Sequence, residues 1–356
     1  MGRSKITPII QALLAAILFG ASAPLSKTLL GEVEPIPLAA FLYLGSGIGL
    51  LGITLLKRMF QKSVEREAKI QKLDLPWLAG AVLAGGVAAP IILLFSLKST
   101  PAATASLLLN FESVATTLMA AWFFKEAISR RAWLAIILIT LSTILLSVNL
   151  DTAWGFSLGA FGIVAACIFW GIDNNFTRNI SAKDPTMIVT IKGLVAGSFS
   201  LILALVMGNP LPSIGIILGA MLLGSLSYGT SIVLFIHAMR GLGAGRTSAL
   251  FSTAPLSGLL LSFILFRENP GWLFLAAFPL MVAGTLFLVT EAHNHLHTHA
   301  SVSHEHAHVH DDGHHIHAHA SGIPARHSHL HTHEALTHDH NHMPDTHHRH
   351  DHAVQS

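Results

Sequence analysis

Up to Thr290 the chain is a succession of apolar stretches separated by short polar hinges such as Gly31–Glu34, Lys125–Arg131 and Arg267–Gly271. Ten such stretches run over approximately 8–30, 35–56, 76–98, 101–124, 132–149, 158–179, 186–208, 211–238, 246–266 and 272–290. A helix needs about 20 residues to cross ~30 Å of hydrocarbon at 1.5 Å per residue. Backbone polar groups in lipid must be satisfied within the segment, so these stretches predict ten transmembrane helices. Beyond Thr290 the pattern changes to one in which histidine recurs at every second position.

Composition supports that division. The 356 residues are 52% hydrophobic and only 11% charged, against about 25% charged in soluble domains, which argues against a water-soluble enzyme. One cysteine permits neither an internal disulfide nor a cysteine-based metal site. The net charge of +2 divides unequally: residues 1–290 hold 19 Lys+Arg and 11 Asp+Glu, whereas 291–356 hold two arginines and eight acids. The body is therefore +8 and the tail −6, with histidine neutral.

Lysine and arginine in short loops set orientation. With the N-terminus inside, the cytoplasmic side carries Arg3, Lys5, six bases from Lys57 to Lys72, Lys125, Arg130, Arg131, Arg178, Lys183, Arg240 and Arg246. The other side carries only Lys27, Lys98 and Arg267. Both termini are thus expected in the cytoplasm, with the body in the plasma membrane. A cleaved signal peptide is the competing reading of the first segment, but that segment has a counterpart deep in the chain.

The counterpart belongs to an internal repeat. Phe19-Gly20-Ala-Ser-Ala-Pro-Leu-Ser-Lys27 aligns with Trp170-Gly171-Ile-Asp-Asn-Asn-Phe-Thr-Arg178. Ser106 and Phe124-Lys125-Glu126 align with Ser248 and Phe266-Arg267-Glu268 at a constant offset of 142, which also pairs Lys98 with Arg240. Five spans per half force the second half to insert upside down, giving a 5+5 inverted repeat of the kind that builds secondary transporters. The expected fold is an all-α polytopic membrane protein with units 1–149 and 150–290, followed by a disordered tail, 291–356.

The paired openings Ile17-Leu-Phe-Gly20 and Ile168-Phe-Trp-Gly171, with the paired closings Ala120-Ala-Trp-Phe-Phe-Lys-Glu126 and Ser262-Phe-Ile-Leu-Phe-Arg-Glu268, resemble the drug/metabolite transporter superfamily of EamA type. The resemblance covers 8–290 and implies a ten-helix carrier of small metabolites working by alternating access, without implying a particular substrate. Two departures stand out. Ser113 occupies a position usually proline in the fourth span, while its counterpart Pro255 is kept. Leu42-Tyr43 stands where the family commonly has arginine, and the matching seventh span keeps a base, Lys192.

Ionisable groups inside a membrane usually line a cavity or have a partner. Glu112, Asp173, Asn174 and Lys192 are the candidates for solute binding. Glu112 reads either as a proton or cation site or as the structural partner of Lys192. Asp173-Asn174-Asn175 fans around the helix at 100° per residue, so it faces a cavity or other helices rather than lipid. His237 reads as a packing histidine, and Cys167 as an inert core thiol. Gly45/Gly49, Gly193/Gly197 and Gly215/Gly219 permit close helix packing, within the bundle or across a homodimer. The run from Gly241 to Thr247 lacks phosphate-loop spacing. No nucleic-acid partner is expected.

Of the 24 histidines, 23 lie in the tail. The alternating runs are His293, His295, His297 and His299; His304, His306, His308 and His310; His327, His329, His331 and His333; His338, His340 and His342; and His348, His350 and His352. Imidazole suits Zn, Ni, Co and Cu, and residues two apart share a face of an extended chain. The tail reads as a metal-binding or sensing segment, or as a polyelectrolyte charging near pH ~6.5. The body requires no cofactor. Transport of a small metabolite is the leading reading. Transport of a transition metal or its chelate is the alternative, disfavoured by a membrane body with one histidine and one cysteine. A receptor or scaffold is the third.

Overall fold

A computed structural model of the chain describes residues 3–60, 68–124, 128–149, 155–180, 183–242, 247, 250–289, 293–299, 302–309, 326–333 and 336–342. The membrane body contains α1 (Thr7–Leu29), α2 (Pro35–Leu56), α3 (Lys72–Ser99), α4 (Ala102–Leu108), α5 (Phe111–Phe124) and α6 (Arg130–Ser147). It continues with α7 (Leu158–Asn179), α8 (Pro185–Val206), α9 (Ile214–Ala238), α10 (Ala254–Phe266) and α11 (Trp272–Val289). Among the described residues, seven of these are long and apolar enough to cross a membrane.

The fourth and ninth predicted spans are each interrupted. The fourth divides into α4 and α5 at Leu109-Asn110, and the ninth breaks at 252–253, just before α10. Pro255 lies in the first turn of α10, where its missing N–H costs nothing. The break before α5 has no proline. There the Asn110 amide donates to Thr285 of α11, and the Ser113 hydroxyl returns to the Asn110 carbonyl at 2.7 Å.

Packing repeats between the halves. The helix pair α1–α9 has its counterpart in α7–α3, α1–α10 in α7–α5, and α2–α9 in α8–α3. The pairs α2–α8 and α6–α11 join equivalent helices of the two halves. The helices α3 and α9 each widen into a π-helical segment at matched depth, Val82–Ala88 and Ser225–Thr230. Local signals begin the elements on time: Asp184 caps α8 by accepting from the Thr186 and Met187 amides, with Pro185 in the first turn. The core is aliphatic, with Leu38, Leu42, Leu93, Leu94 and Ile163 fully buried. Ile202, Leu222 and Ile264 are among the apolar side chains left exposed, as a lipid-facing surface requires.

Gly45 and Gly49 pack against Met221 and Ser225 of α9, and Gly193 and Gly197 against Gly47 and Leu44 of α2. Gly215 and Gly219 differ, because a Cβ at either would meet nothing within 4 Å.

Within the tail, four segments pair as strands. His293–His299 (β1) pairs antiparallel with Leu336–His342 (β4), and Val302–Val309 (β2) with Arg326–His333 (β3). A period-two sequence with interspersed Val, Thr and Leu suits a strand even without an apolar core. The histidine side chains of the tail, including the expected ligands from His293 to His352, lie outside the described residues.

Candidate solute site

The polar triplet Asp173-Asn174-Asn175 on α7 reaches neighbours on three other helices. Asp173, only 6% exposed, accepts two hydrogen bonds from the Lys192 ammonium of α8, at 2.6 and 2.7 Å to its two oxygens. Thr177, one turn on, donates to Oδ1 at 2.9 Å. Asn174 points instead to α5, donating to Glu112 Oε1 at 2.8 Å and Thr116 Oγ1 at 3.1 Å. Asn175 donates to the Thr116 carbonyl at 3.2 Å and the Gly171 carbonyl at 2.8 Å.

The four residues singled out in the sequence therefore meet, but in a different pairing. The base of α8 is held by Asp173, whereas Glu112 takes an amide from Asn174. Depth along the membrane suggested Glu112 as the partner of Lys192; rotation about the helix axes decides otherwise.

Gly85 of α3 abuts the ion pair, and a Cβ there would overlap the Asp173 carboxylate. Its carbonyl lies in the π-helical segment, where the hydrogen-bond partner five residues on is Pro90, which has no N–H. Two side chains supply the missing donors: Tyr43 OH at 2.6 Å and Trp170 Nε1 at 3.1 Å.

Those donors belong to an aromatic cluster that the sequence reading missed. Tyr43 lies 5.5 Å from Tyr228, ring centre to ring centre, and Phe19 lies 6.1 Å from Tyr228, 6.4 Å from Trp170 and 5.3 Å from Phe251. A signal was available. The chain has only two tyrosines, both in mid-span, where a buried hydroxyl needs a partner.

His237 is half-buried on the last turns of α9. Cys167 is buried, its thiol 3.7 Å from the Leu108 and Leu109 carbonyls at the break between α4 and α5. Among the described residues, no group of three His, Cys, Asp or Glu side chains could hold a metal ion.

Paired, discontinuous helices around a buried charged cluster define a polytopic membrane protein of the transporter class. Residues 6–148 and 157–290 each match the EamA-like transporter family, and the chain belongs to that family. An "Uncharacterized transporter" of Methanothermobacter thermautotrophicus (strain Delta H) is 33% identical over 278 residues, 73% of this chain and 79% of that protein. Among the solved structures that match, a crystal structure has a TM-score of 0.57 at 20% identity, over 78% of this chain and 95% of its own. That likeness concerns the fold alone.

Proposed function

We propose that the chain is a secondary-active transporter of a small metabolite, alternating access between units 1–149 and 150–290 around Glu112, Asp173, Asn174 and Lys192. The observation that carries this reading is the ion pair between Asp173 and Lys192, joined through α7 to the Asn174–Glu112 hydrogen bond. A buried ion pair stabilises a fold little better than apolar packing of the same volume, so stability alone accounts poorly for its presence. A solute carrying both a cationic and an anionic group can pair with each member in turn and leave neither charge stranded. Glu112, on the interrupted span, is the group assigned to proton coupling. The positive loops support an orientation with both termini on the cytoplasmic side of the plasma membrane.

The test is uptake by reconstituted vesicles under an imposed pH gradient, screened with small organic solutes and with Zn, Ni, Co and Cu ions. Gradient-driven uptake of an organic solute, lost in Glu112→Gln, is the expected result. Full coupling in Glu112→Gln would remove the proton role. Movement of metal ions alone would favour the alternative carrier, and movement of nothing would favour a receptor or scaffold.

We assign the tail a separate role, binding of transition-metal ions. Supporting it is a strand register that sets His295 opposite His340 and His306 opposite His329. Deleting 291–356 should lower metal bound per chain while leaving solute transport intact; transport lost with the tail would make the tail part of the pathway.

A further inference from the structure

At the face bearing Lys27 and Lys98, the bundle has an open cavity of about 460 Å³ lined by these two lysines, the 99–101 turn and Glu268. Beneath it the outer halves of α1, α4 and α10 converge. Glu268 accepts from the Ala102 amide at 2.7 Å and the Ala103 amide at 2.9 Å, two of the N–H groups that the start of α4 leaves without helical partners. The carboxylate is aimed there by Arg267, which ends α10 in the left-handed region at φ 50°, a conformation costly for a side chain other than glycine. From α1, the Lys27 ammonium donates to the Thr100 carbonyl and stands 5.9 Å from the centre of the Phe266 ring. Three helices from two repeats are tied by these two side chains.

The seam below them is shut. A Cβ on Gly20 of α1 would overlap the Ala254 carbonyl and Ser257 of α10, and Ser106 meets Ser262 at 3.4 Å, both fully buried. The equivalent seam on the other side of the centre, α7 against α5, is looser: a Cβ on Gly171 would stand 3.0 Å from the Ala115 Cβ and 3.1 Å from the Thr116 amide. Asn174, beside that second seam, is exposed.

We propose that Lys27 and Glu268 form the latch of the gate on this face: made, it holds the α1–α4–α10 seam closed, and it is released whenever the pathway opens on this side. The inference rests on the transport reading above. Position distinguishes a latch from a permanent fastening. Glu268 is half-exposed beside the cavity, so water can take over its hydrogen bonds and those of the two amides on release. The buried Asp173–Lys192 pair has no such substitute. By the distribution of positive loops, the latch faces the outside.

The test uses the full chain carrying Cys167→Ser, with a single reporter cysteine. Ser262→Cys lies under the latch, and its repeat counterpart, Ala120→Cys, lies towards the opposite face. A charged, membrane-impermeant thiol reagent is applied from each face in turn. Glu268→Ala should speed labelling of Ser262→Cys from the Lys27 face about tenfold, the size expected for loss of a charge-assisted hydrogen bond. Lys27→Met should do so less strongly, and in both variants labelling of Ala120→Cys from the opposite face should slow. Unchanged rates at both reporters would overturn the latch, as would a rise at both, which marks general loosening. Lys27→Met decides the matter if Glu268→Ala does not fold. Slow labelling of each reporter from its own face in protein with an intact latch is the mark of alternating access. Its absence at both would fail the transport reading, whereas its presence with no response to either latch variant would fail the latch alone.

Discussion

The two halves of this protein share a backbone plan but bring different chemistry to the centre. In α7 the residues after Gly171 include Asp173, Asn174 and Asn175; at the same distance after Gly20 in α1 stand Ser22, Ala23 and Pro24. In α8, Lys192 lies seven residues after Pro185; in α2, Leu42 lies seven after Pro35, with Tyr43 beside it. At these positions one half supplies an ion pair and amides and the other the Tyr43 hydroxyl, while the aromatic faces come from both halves, Phe19 and Tyr43 from the first and Trp170, Tyr228 and Phe251 from the second. A symmetric pair of cations would have offered a solute two equivalent ends. The centre here has a charged side and an aromatic side. The backbone keeps the repeat, and the side chains at the centre break it.

The largest effect should follow from unbalancing the charged side. Asp173→Asn or Lys192→Met alone leaves a buried charge without its counterion and should cost about 3–5 kcal/mol. The double variant removes both charges and should recover much of that loss, read as thermal stability in detergent. If the double variant is no more stable than either single one, the two residues are not a coupled pair. On the aromatic side, Tyr43→Phe removes no charge and should leave stability far less changed.

A smaller loss is expected at the contact between the sides. Gly85→Ala forces a methyl group into the Asp173 carboxylate, an overpacking worth about 1–3 kcal/mol. Gly219→Ala supplies the control: its added methyl meets open space, and alanine is the better helix former by about 1 kcal/mol. Stability should therefore fall in the first and hold or rise in the second. Equal losses in both would mean that glycine is needed for helix flexibility and not for room beside Asp173.

How much of this was legible follows from what each signal measures. Hydropathy reports burial in lipid, and it located the apolar stretches. It does not report continuity: the ninth span read as unbroken despite Pro255, and the matched break at Leu109-Asn110 is held by the Asn110 and Ser113 side chains, which resemble ordinary polar residues in sequence. Intramembrane charge located Glu112, Asp173 and Lys192. It did not assign partners, because two residues at one depth can lie on opposite faces of their helices. The aromatic side was missed because aromatic residues are common in membrane spans, and only the scarcity of tyrosine set Tyr43 and Tyr228 apart. In the tail, the period of two was plain, whereas pairing β1 with β4 across more than thirty-five residues needed tertiary information.

The finest test concerns the Gly85 carbonyl, where one aromatic side chain from each half meets beside the ion pair. Pro90 removes the N–H that a π-helical turn would offer, and Tyr43 and Trp170 replace it with two side-chain donors. Losing one donor still leaves the other. Tyr43→Phe should therefore cost only about 0.5–1 kcal/mol, and Trp170→Phe about as much once its smaller ring is allowed for. Losing both strands a buried carbonyl beside Asp173, for which the penalty is about 1–3 kcal/mol beyond the sum of the single losses. A double-mutant cycle on thermal stability reads the difference directly. Strict additivity would show that another group satisfies the carbonyl and that the two sides of the centre are independent. A surplus would show that the aromatic side chains support the π-helical segment of α3 against which the ion pair rests.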